Sequence, residues 1–234
     1  MRNYFTLNGQ DSRDFGVYIS GQGAFSAPSR ANQFIQIPGR NGDLIGYEKR
    51  LENMEVVYPA FIYSNFKANL ADFRAFLLSL EGYVELSDTY NPDEFRLATY
   101  VGPFNPEVTS KNDAGQFDIS FICKPQRFLK TGKNTVTFTA DGTITNPTRF
   151  DARPLLRVYG VGSVGIGGTT INIFQADEYT DIDSEMMDCF KGSANKNANV
   201  TFSGYDFPVL HPGSNGVALS GVTKVEITPR WWTV

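Results

Sequence analysis

Histidine and cysteine are scarce in this sequence, which has one histidine and two cysteines among 234 residues. A zinc site built on several histidines or on four cysteines needs more of these residues than one chain contains. A catalytic triad would have to use His211, which stands in a His-Pro-Gly turn sequence. Cys123 and Cys189 are far apart and suggest no disulfide framework, so synthesis in a reducing compartment is expected. We therefore predict no catalytic residue, no cofactor and no metal site.

Neither a long apolar run nor an excess of one charge is present. The chain has 21 basic and 25 acidic residues, a net charge of −4, spread evenly over its two halves. Counterion release from a bound polyanion needs a basic surface, so strong sequence-independent DNA binding is not expected. No apolar run is long enough to span a bilayer, and the first residues lack the apolar region of a signal peptide. These absences predict a soluble protein without membrane insertion.

The first part of the sequence combines strand patterns with one helix pattern. An apolar stripe with helical period consists of Phe66, Leu70, Phe73, Leu77 and Leu80. It predicts a helix of about 16 residues, capped by Ser64 or Asn65, with Gly82 as the left-handed residue after its end. Strands are predicted at residues 34–37, 43–48, 54–63, 83–86, 95–100 and 117–123. Asn41-Gly42 predicts a hairpin turn between the first two strands, and Cys123 is expected on a buried strand face.

After residue 131 no helical period returns. Short strand patterns occupy residues 136–139, 155–159, 169–174, 199–202, 217–219 and 222–228, and Asp141-Gly142 predicts another hairpin turn. Short strands at this spacing are typical of an antiparallel sandwich. The sequence therefore predicts a mainly β protein with domains at residues 1–131 and 132–234.

Two segments match ligand-binding patterns only formally. Residues 160–165 match G-x-G-x-x-G, but a nucleotide loop needs a helix directly after it, and turn and strand residues follow here. A glycine-rich hairpin is the preferred interpretation. The acidic residues 177–185 offer oxygen ligands for a hard cation, but they lack the glycine and the distal glutamate of an EF-hand loop. An exposed strand and turn is preferred there.

Trp231 and Trp232 are adjacent, so in an extended segment they point to opposite faces. One is expected in the core. The other, if it points outward, can stack on a sugar or anchor a partner protein. No pair of carboxylates stands out as a glycosidase pair. We therefore predict that the protein is not an enzyme.

A series of short motifs runs in order through essentially the whole chain. They lie at residues 15–17 (Phe-Gly-Val), 37–42 (Ile-Pro-Gly-Arg-Asn-Gly), 65–82 (the helix and its glycine), 121–125 (Phe-Ile-Cys-Lys-Pro), 146–148, 154–160, 181–185 (Asp-Ile-Asp-Ser-Glu), 207–215 and 227–232. Each motif is short, but their order and spacing are specific in combination. The sequence resembles the distal tail protein (Dit) family of siphophages, the long-tailed phages with non-contractile tails.

This resemblance implies an N-terminal β-rich domain with one α-helix that forms a hexameric ring, and a C-terminal galectin-like antiparallel β-sandwich. In the family, the ring joins the tail tube protein to the tail-associated tip protein and is a hub for baseplate or receptor-binding proteins. DNA passes through the lumen without being specifically bound, and the net charge of −4 agrees with that. The implied location is the virion tail tip, after synthesis in the host bacterial cytoplasm.

A ring requires two different patches of one subunit to meet around the circle. Exposed edge strands are natural candidates because pairing satisfies their backbone groups. The predicted interface residues form the turn of the first hairpin, and they are Pro38, Gly39, Arg40, Asn41 and Gly42. The alternative function is a carbohydrate-binding module that contributes to host adhesion. Sugar-binding galectins place a histidine and a stacking tryptophan on one sheet, a set that this sequence does not display.

Overall fold

The computed structural model describes residues 2–20, 25–109, 113–204 and 206–234. The chain forms two compact units, residues 1–127 and 128–233. Both units are built mainly from antiparallel strands, and the described residues contain one α-helix besides short 3₁₀ turns. The predicted fold class is therefore confirmed. A ring-forming role for residues 1–131 and a galectin-like identity for residues 132–234 stay predictions.

The strands of the first unit surround an aromatic core. They are β1 (Phe5–Leu7), β2 (Gln10–Asp11), β3 (Tyr18–Ile19), β4 (Arg30–Ile35), β5 (Leu44–Leu51), β6 (Met54–Ile62), β7 (Val84–Asp88), β8 (Asn91–Tyr100), β9 (Glu107–Val108) and β10 (Gly115–Cys123). The main sheet has the order β2-β1-β7-β8-β10-β6-β3, and β9 pairs with β10. Strands β4 and β5 form a separate two-stranded hairpin.

The helix α1 (Phe66–Ser79) buries the stripe that the sequence predicts, because residues spaced by three and four share one face. Phe73 is fully buried and lies at the centre of the aromatic cluster. Its ring centroid is within 6.2 Å of those of Phe5, Phe15, Phe104 and Phe117. This stripe fixes the helix on the main sheet.

The ends of α1 differ from the prediction. Asn65 is the N-cap residue, but its φ of 50° is left-handed and its side chain makes no capping bond. The Phe66 N–H instead donates to the backbone carbonyl of Asp113 at 3.2 Å. A long-range contact thus satisfies a donor that the sequence assigned to a local cap. Gly82 is left-handed, with φ of 68°, but lies two positions after the C-cap residue Leu80.

The second unit is an antiparallel sandwich. After β11 (Arg127–Leu129), its strands are β12 (Val136–Phe138), β13 (Gly142–Asn146), β14 (Leu155–Tyr159), β15 (Gly162–Ile166), β16 (Thr169–Ile173), β17 (Tyr179–Asp183), β18 (Asp188–Lys191), β19 (Ala194–Asn195), β20 (Val200–Phe202), β21 (Gly213–Ser220), β22 (Lys224–Thr228) and β23 (Trp232–Thr233). One sheet has the order β12-β22-β14-β17-β18-β19 and the other β13-β21-β15-β16-β20, while β23 lies outside both and pairs with β11. Alternate residues of both sheets meet in one buried apolar cluster.

The glycine-rich segment is a hairpin, as the sequence predicts. β15 and β16 pair antiparallel and are joined by Gly167 and Gly168, with φ of 57° and 84°. Two successive residues with positive φ are the requirement of a type I′ turn. The chain continues into a strand, so the helix that a nucleotide loop needs is replaced by sheet.

The hairpin predicted at Asp141-Gly142 is wrong. β12 pairs with β22 and β13 pairs with β21, so the two flanking strands belong to different sheets. The Asp141 carboxylate accepts a hydrogen bond from the Leu219 N–H at 2.8 Å. The pair therefore turns the chain from one layer of the sandwich to the other.

Candidate functional site: an exposed hairpin

The hairpin of β4 and β5, residues 30–51, exposes large apolar side chains on both of its faces. Residues opposite each other in an antiparallel pair share a face. Phe34 lies opposite Ile45, with Tyr47 two residues further on, and these three form what we name the phenylalanine face. Ile35 lies opposite Leu44, and these two form the leucine face. All five side chains are exposed, by between 48% and 66%.

The turn of this hairpin has a different geometry from the one predicted. The strands end at Ile35 and Leu44, so residues 36–43 connect them instead of a two-residue Asn-Gly turn. The Arg40 N–H donates to the Ile37 carbonyl at 3.2 Å, and Gly39 has φ of 79°. Proline followed by a glycine with positive φ, inside such a bond, is the signature of a type II turn. The chain thus reverses first at residues 38–39.

The predicted interface residues, 38–42, all lie exposed in this connection. Whether they contact a partner stays a prediction. The apolar surface itself lies on the strands, in residues that the sequence interpretation did not single out. The signal was present as the adjacent apolar pairs Phe34-Ile35 and Leu44-Ile45, since a strand with one buried face alternates apolar and polar residues.

A β-bulge separates the hairpin from its base. The register passes from Arg30 opposite Leu51 to Asn32 opposite Tyr47, so β5 has extra residues there. One of these, Lys49, has φ of 58°. A bulge bends its strand and increases the local twist, so it sets the direction in which the hairpin projects.

Two buried arginines hold the chain just before the hairpin. Arg96 and Arg127 are 7% and 8% exposed, and an Nη2 of each donates to the Ser26 carbonyl, at 3.4 and 3.3 Å. Glu94 pairs with Arg127 at 3.2 Å. Burial lowers the pKa of Arg96, and the neighbouring Arg127 adds to this effect. The segment that leads into β4 is therefore tied to the main sheet.

The acidic residues 177–185 form the predicted strand and turn, but the residues of the strand from Thr180 onward are buried, not exposed. They include β17, in which Asp181 and Asp183 are each 3% exposed. Asp181 accepts two hydrogen bonds from Arg157, at 2.7 and 2.9 Å, and Asp183 accepts two from Arg230, at 2.7 and 2.8 Å. Such two-bond pairs are strong and directional, so these carboxylates are occupied within the unit.

The pKa of Asp183 reflects this environment. Burial raises it, but the hydrogen bonds from Arg230 and from the Met186 and Glu185 N–H groups outweigh burial, so the pKa is lowered overall. The pKa of Arg157 is raised by its hydrogen bonds to Asp181. The lowered pKa of Asp183 and the raised pKa of Arg157 keep these two groups charged near neutral pH. Among the described residues, no group of three His, Cys, Asp or Glu side chains is placed to hold a metal ion.

Trp232, Tyr159 and Tyr179 of the second unit, on which a sugar could stack, already have ring or cation partners. Trp231 is buried, and the Trp232 ring stacks on Phe150 with centroids 4.4 Å apart. On the six-stranded sheet, Lys224 lies 4.0 Å from the Tyr159 ring centroid, and Arg157 lies 4.2 Å from that of Tyr179. These contacts compete with sugar stacking.

The one histidine of the sequence lies on the surface of the second unit. The Nδ1 atom of His211 is 2.9 Å from the Asp151 carboxylate, and both side chains are more than half exposed. In the part of the chain that is described, no helix is both long and apolar enough to cross a membrane.

Both cysteines are free and buried, and burial raises the pKa of each thiol to about 12. Because the thiolate is the nucleophile, we expect neither Cys123 nor Cys189 to be alkylated by iodoacetamide at about pH 8 in the native protein. Both should react fully in denaturant, and mass spectrometry of the peptides distinguishes the two states. Rapid labelling of either native thiol would contradict the buried positions.

Comparison with known proteins adds the family context. Residues 10–123, within the first unit, match the family model of the phage tail protein RIFT-related domain. A comparison with curated proteins gave no match. Among solved structures, the Dit protein of phage SPP1 is similar, with TM-score 0.70, 14% identity and coverage of 100% of both chains. It is described as a paradigm of the hub adsorption apparatus in phages that infect Gram-positive bacteria.

A second similar structure is that of the phage p2 baseplate in its activated conformation with Sr. It matches with TM-score 0.53 and 13% identity over 96% of each chain. At such identities the likeness describes the fold, which extends over both units. The resemblance drawn from the sequence motifs is thereby confirmed: residues 10–123 match the model of the phage tail protein RIFT-related domain, and the whole chain shares its fold with the Dit protein of phage SPP1.

Proposed function

We propose that this protein is a structural hub of a siphophage tail tip, assembled as a hexameric ring that joins the tail tube to the tip and baseplate proteins. The exposed hairpin with its two apolar faces, inside the unit that matches a phage tail family, is the observation that carries this proposal. The fold shared with the SPP1 Dit protein supports it.

The hairpin needs a partner for physical reasons. An isolated two-stranded ribbon is marginally stable in water, and contiguous exposed apolar surface marks an interaction site. Burying one large apolar side chain contributes about 1.5–3 kcal/mol. Contact between the hairpin and a different patch of the next copy is heterologous, and repetition of such a contact closes a ring when the rotation fits.

The ring has a passive role in this proposal. DNA passes through its lumen during ejection without being specifically bound, in keeping with the net charge of −4. Tail tube protein, tail-associated tip protein and baseplate or receptor-binding proteins are the proposed partners. The location is the virion tail tip, after synthesis in the host cytoplasm. A structural, non-enzymatic role agrees with the family of the first unit.

Size-exclusion chromatography with light scattering at two protein concentrations tests the ring. We expect about 156 kDa, six times the chain mass of 26.0 kDa, or twice that value for two stacked rings. A second test uses a variant in which a short turn replaces residues 36–43. This variant should shift the measured mass towards that of the monomer. A monomer at both concentrations, or a ring unaffected by the shortened hairpin, would count against the proposed assembly.

A further inference from the structure

Asparagine is followed by glycine three times in this sequence, at residues 8–9, 41–42 and 215–216. An asparagine in this position readily loses its side-chain amide, because glycine has no Cβ to obstruct the approach of its nitrogen to the asparagine side chain. The structure places the three pairs in a two-residue turn, in a long exposed connection and in a paired strand. Because the reacting residues are the same, the fold decides which pair reacts.

We propose that Asn41 is a site of spontaneous deamidation in the native protein. Asn41 and Gly42 are exposed, and Gly42 has φ of 83°. Within the described residues, neither the Asn41 side chain nor the Gly42 N–H takes part in a hydrogen bond. The chain reverses first at residues 38–39, so this pair is not held in the two-residue turn that its sequence predicts. The Gly42 nitrogen is therefore free to approach the Asn41 side chain.

The reaction needs only the protein and water. The Gly42 backbone nitrogen bonds to Cγ of Asn41, the bond from Cγ to Nδ2 breaks, and Nδ2 leaves as ammonia with the proton of the Gly42 nitrogen. A five-membered succinimide results, and water then opens it. Opening at the side-chain carbonyl gives aspartate, whereas opening at the backbone carbonyl gives isoaspartate, in which the main chain runs through Cβ. Either product replaces a neutral amide with a carboxylate.

The pair at residues 8–9 is held in a conformation that the reaction must leave. Asn8 and Gly9 have φ of 50° and 81°, as a two-residue type I′ turn requires. The residues on either side, Leu7 and Gln10, are paired across β1 and β2. The Asn8 N–H also donates to the Glu85 carbonyl at 2.8 Å. Closing the succinimide requires rotation of the backbone within this turn, which the hairpin opposes.

The pair at residues 215–216 is protected through its side chain. Asn215 is 4% exposed, and its Nδ2 donates to the carbonyls of His211 and Gly213 at 2.8 and 3.0 Å. Its Oδ1 accepts a hydrogen bond from the His211 N–H at 2.9 Å. The backbone lies in β21, where Asn215 is opposite Ile144. Cγ of Asn215 cannot turn towards the Gly216 nitrogen until these three bonds break.

Deamidation of Asn41 changes the charge and the length of the exposed hairpin. Residues 30–51 contain four basic and two acidic side chains, a net charge of +2, and the new carboxylate reduces it to +1. Isoaspartate also lengthens the connection by one main-chain carbon. The hairpin therefore alters with time after synthesis. This inference is independent of the proposed ring, because it follows from the chemistry of the single chain.

Peptide mapping of the aged native protein tests the inference. The three pairs fall in different tryptic peptides, which cover residues 3–13, 41–49 and 197–224. In mildly alkaline buffer, we expect deamidation at Asn41 to be roughly tenfold faster than at Asn8 and roughly a hundredfold faster than at Asn215. The reason is that the turn and one hydrogen bond restrain Asn8, whereas three hydrogen bonds restrain Asn215. Mass spectrometry follows the loss of each amide, and enzymatic methylation identifies isoaspartate.

Two controls separate the effect of the fold from that of the local sequence. In denaturant the three rates should become similar, because the same pair then lacks its folded surroundings. Asn41→Gln should remove the more acidic form that aged protein shows on anion exchange, since glutamine would have to close a six-membered ring. Asn8→Gln is the matched variant and should leave that form unchanged.

The outcomes are specific to this site. A rate at Asn41 no greater than that at Asn8 overturns the inference, and so does a difference between the sites that persists in denaturant. An acidic form that remains in the Asn41→Gln protein also overturns it. The ring is tested by its mass and this site by its rate of deamidation, so the failure of one proposal is distinguishable from the failure of the other.

Discussion

Replacing Gly167 by alanine is expected to lower the free energy of unfolding of the second unit by about 4 kcal/mol or more. Gly167 is left-handed, with φ of 57°, and a Cβ there would overlap the backbone carbonyl oxygen of Val209. Backbone cannot move aside as a flexible side chain can, so the β15–β16 hairpin and the segment around Val209 must separate. Both tryptophans of the chain, Trp231 and Trp232, lie in this unit, so tryptophan fluorescence during denaturant unfolding measures the effect.

The neighbouring glycine is the matched control. Gly168 is also left-handed, with φ of 84°, but a Cβ there meets nothing within 4 Å. Gly168→Ala should therefore cost only the conformational penalty of an L-residue in this region, about 1–2 kcal/mol. Equal losses for the two variants would mean that the overlap with Val209 is not the cause.

Phe73→Ala is expected to destabilise the first unit by about 3–5 kcal/mol, the usual cost of removing a buried phenylalanine. Phe73 is fully buried, and its ring joins α1 to the aromatic cluster of the sheet. Cys123, buried in the same cluster, reports the loss without interference from the second unit. Its labelling through opening of the unit should become at least about a hundredfold faster, because each 1.4 kcal/mol corresponds to a factor of ten.

Leu78→Ala serves as the control on the same helix. This side chain is 75% exposed, so its removal leaves core packing intact and should leave Cys123 protected. Unchanged Cys123 labelling in the Phe73→Ala protein would contradict the central position of the Phe73 side chain in the core of the first unit.

Local sequence patterns correctly predicted those helices and strands in which buried residues recur at one regular spacing. The stripe through Phe66, Leu70 and Phe73 predicted α1, and alternation predicted β10, because both patterns arise from the geometry of a single element. Asn65 occupies the predicted N-cap position, but its side chain makes no capping bond, and the Phe66 N–H donates to Asp113, which is distant in sequence. The Asp141-Gly142 hairpin was wrong because turn propensity does not specify which strands pair.

The chemistry of the acidic stretch also depended on long-range register. Asp181 lies opposite Arg157 on the neighbouring strand, and Asp183 is paired with an arginine from near the end of the chain. Nothing local marks these carboxylates as buried, so exposure was the natural prediction. At the candidate site, the glycines of residues 38–42 indicated a turn, and the sequence interpretation therefore placed the interface there. The exposed apolar side chains lie on the adjoining strands β4 and β5.

The position of β22 in its sheet has a consequence for biosynthesis. β22 lies between β12 and β14, and it is made after both of them. Until it emerges from the ribosome, the nascent chain presents two strands that cannot yet be joined through their common neighbour. Unpaired strand edges favour contacts with other chains. The sandwich is therefore expected to close late, whereas β1 to β10 and the helix of the first unit have all been synthesised by Cys123.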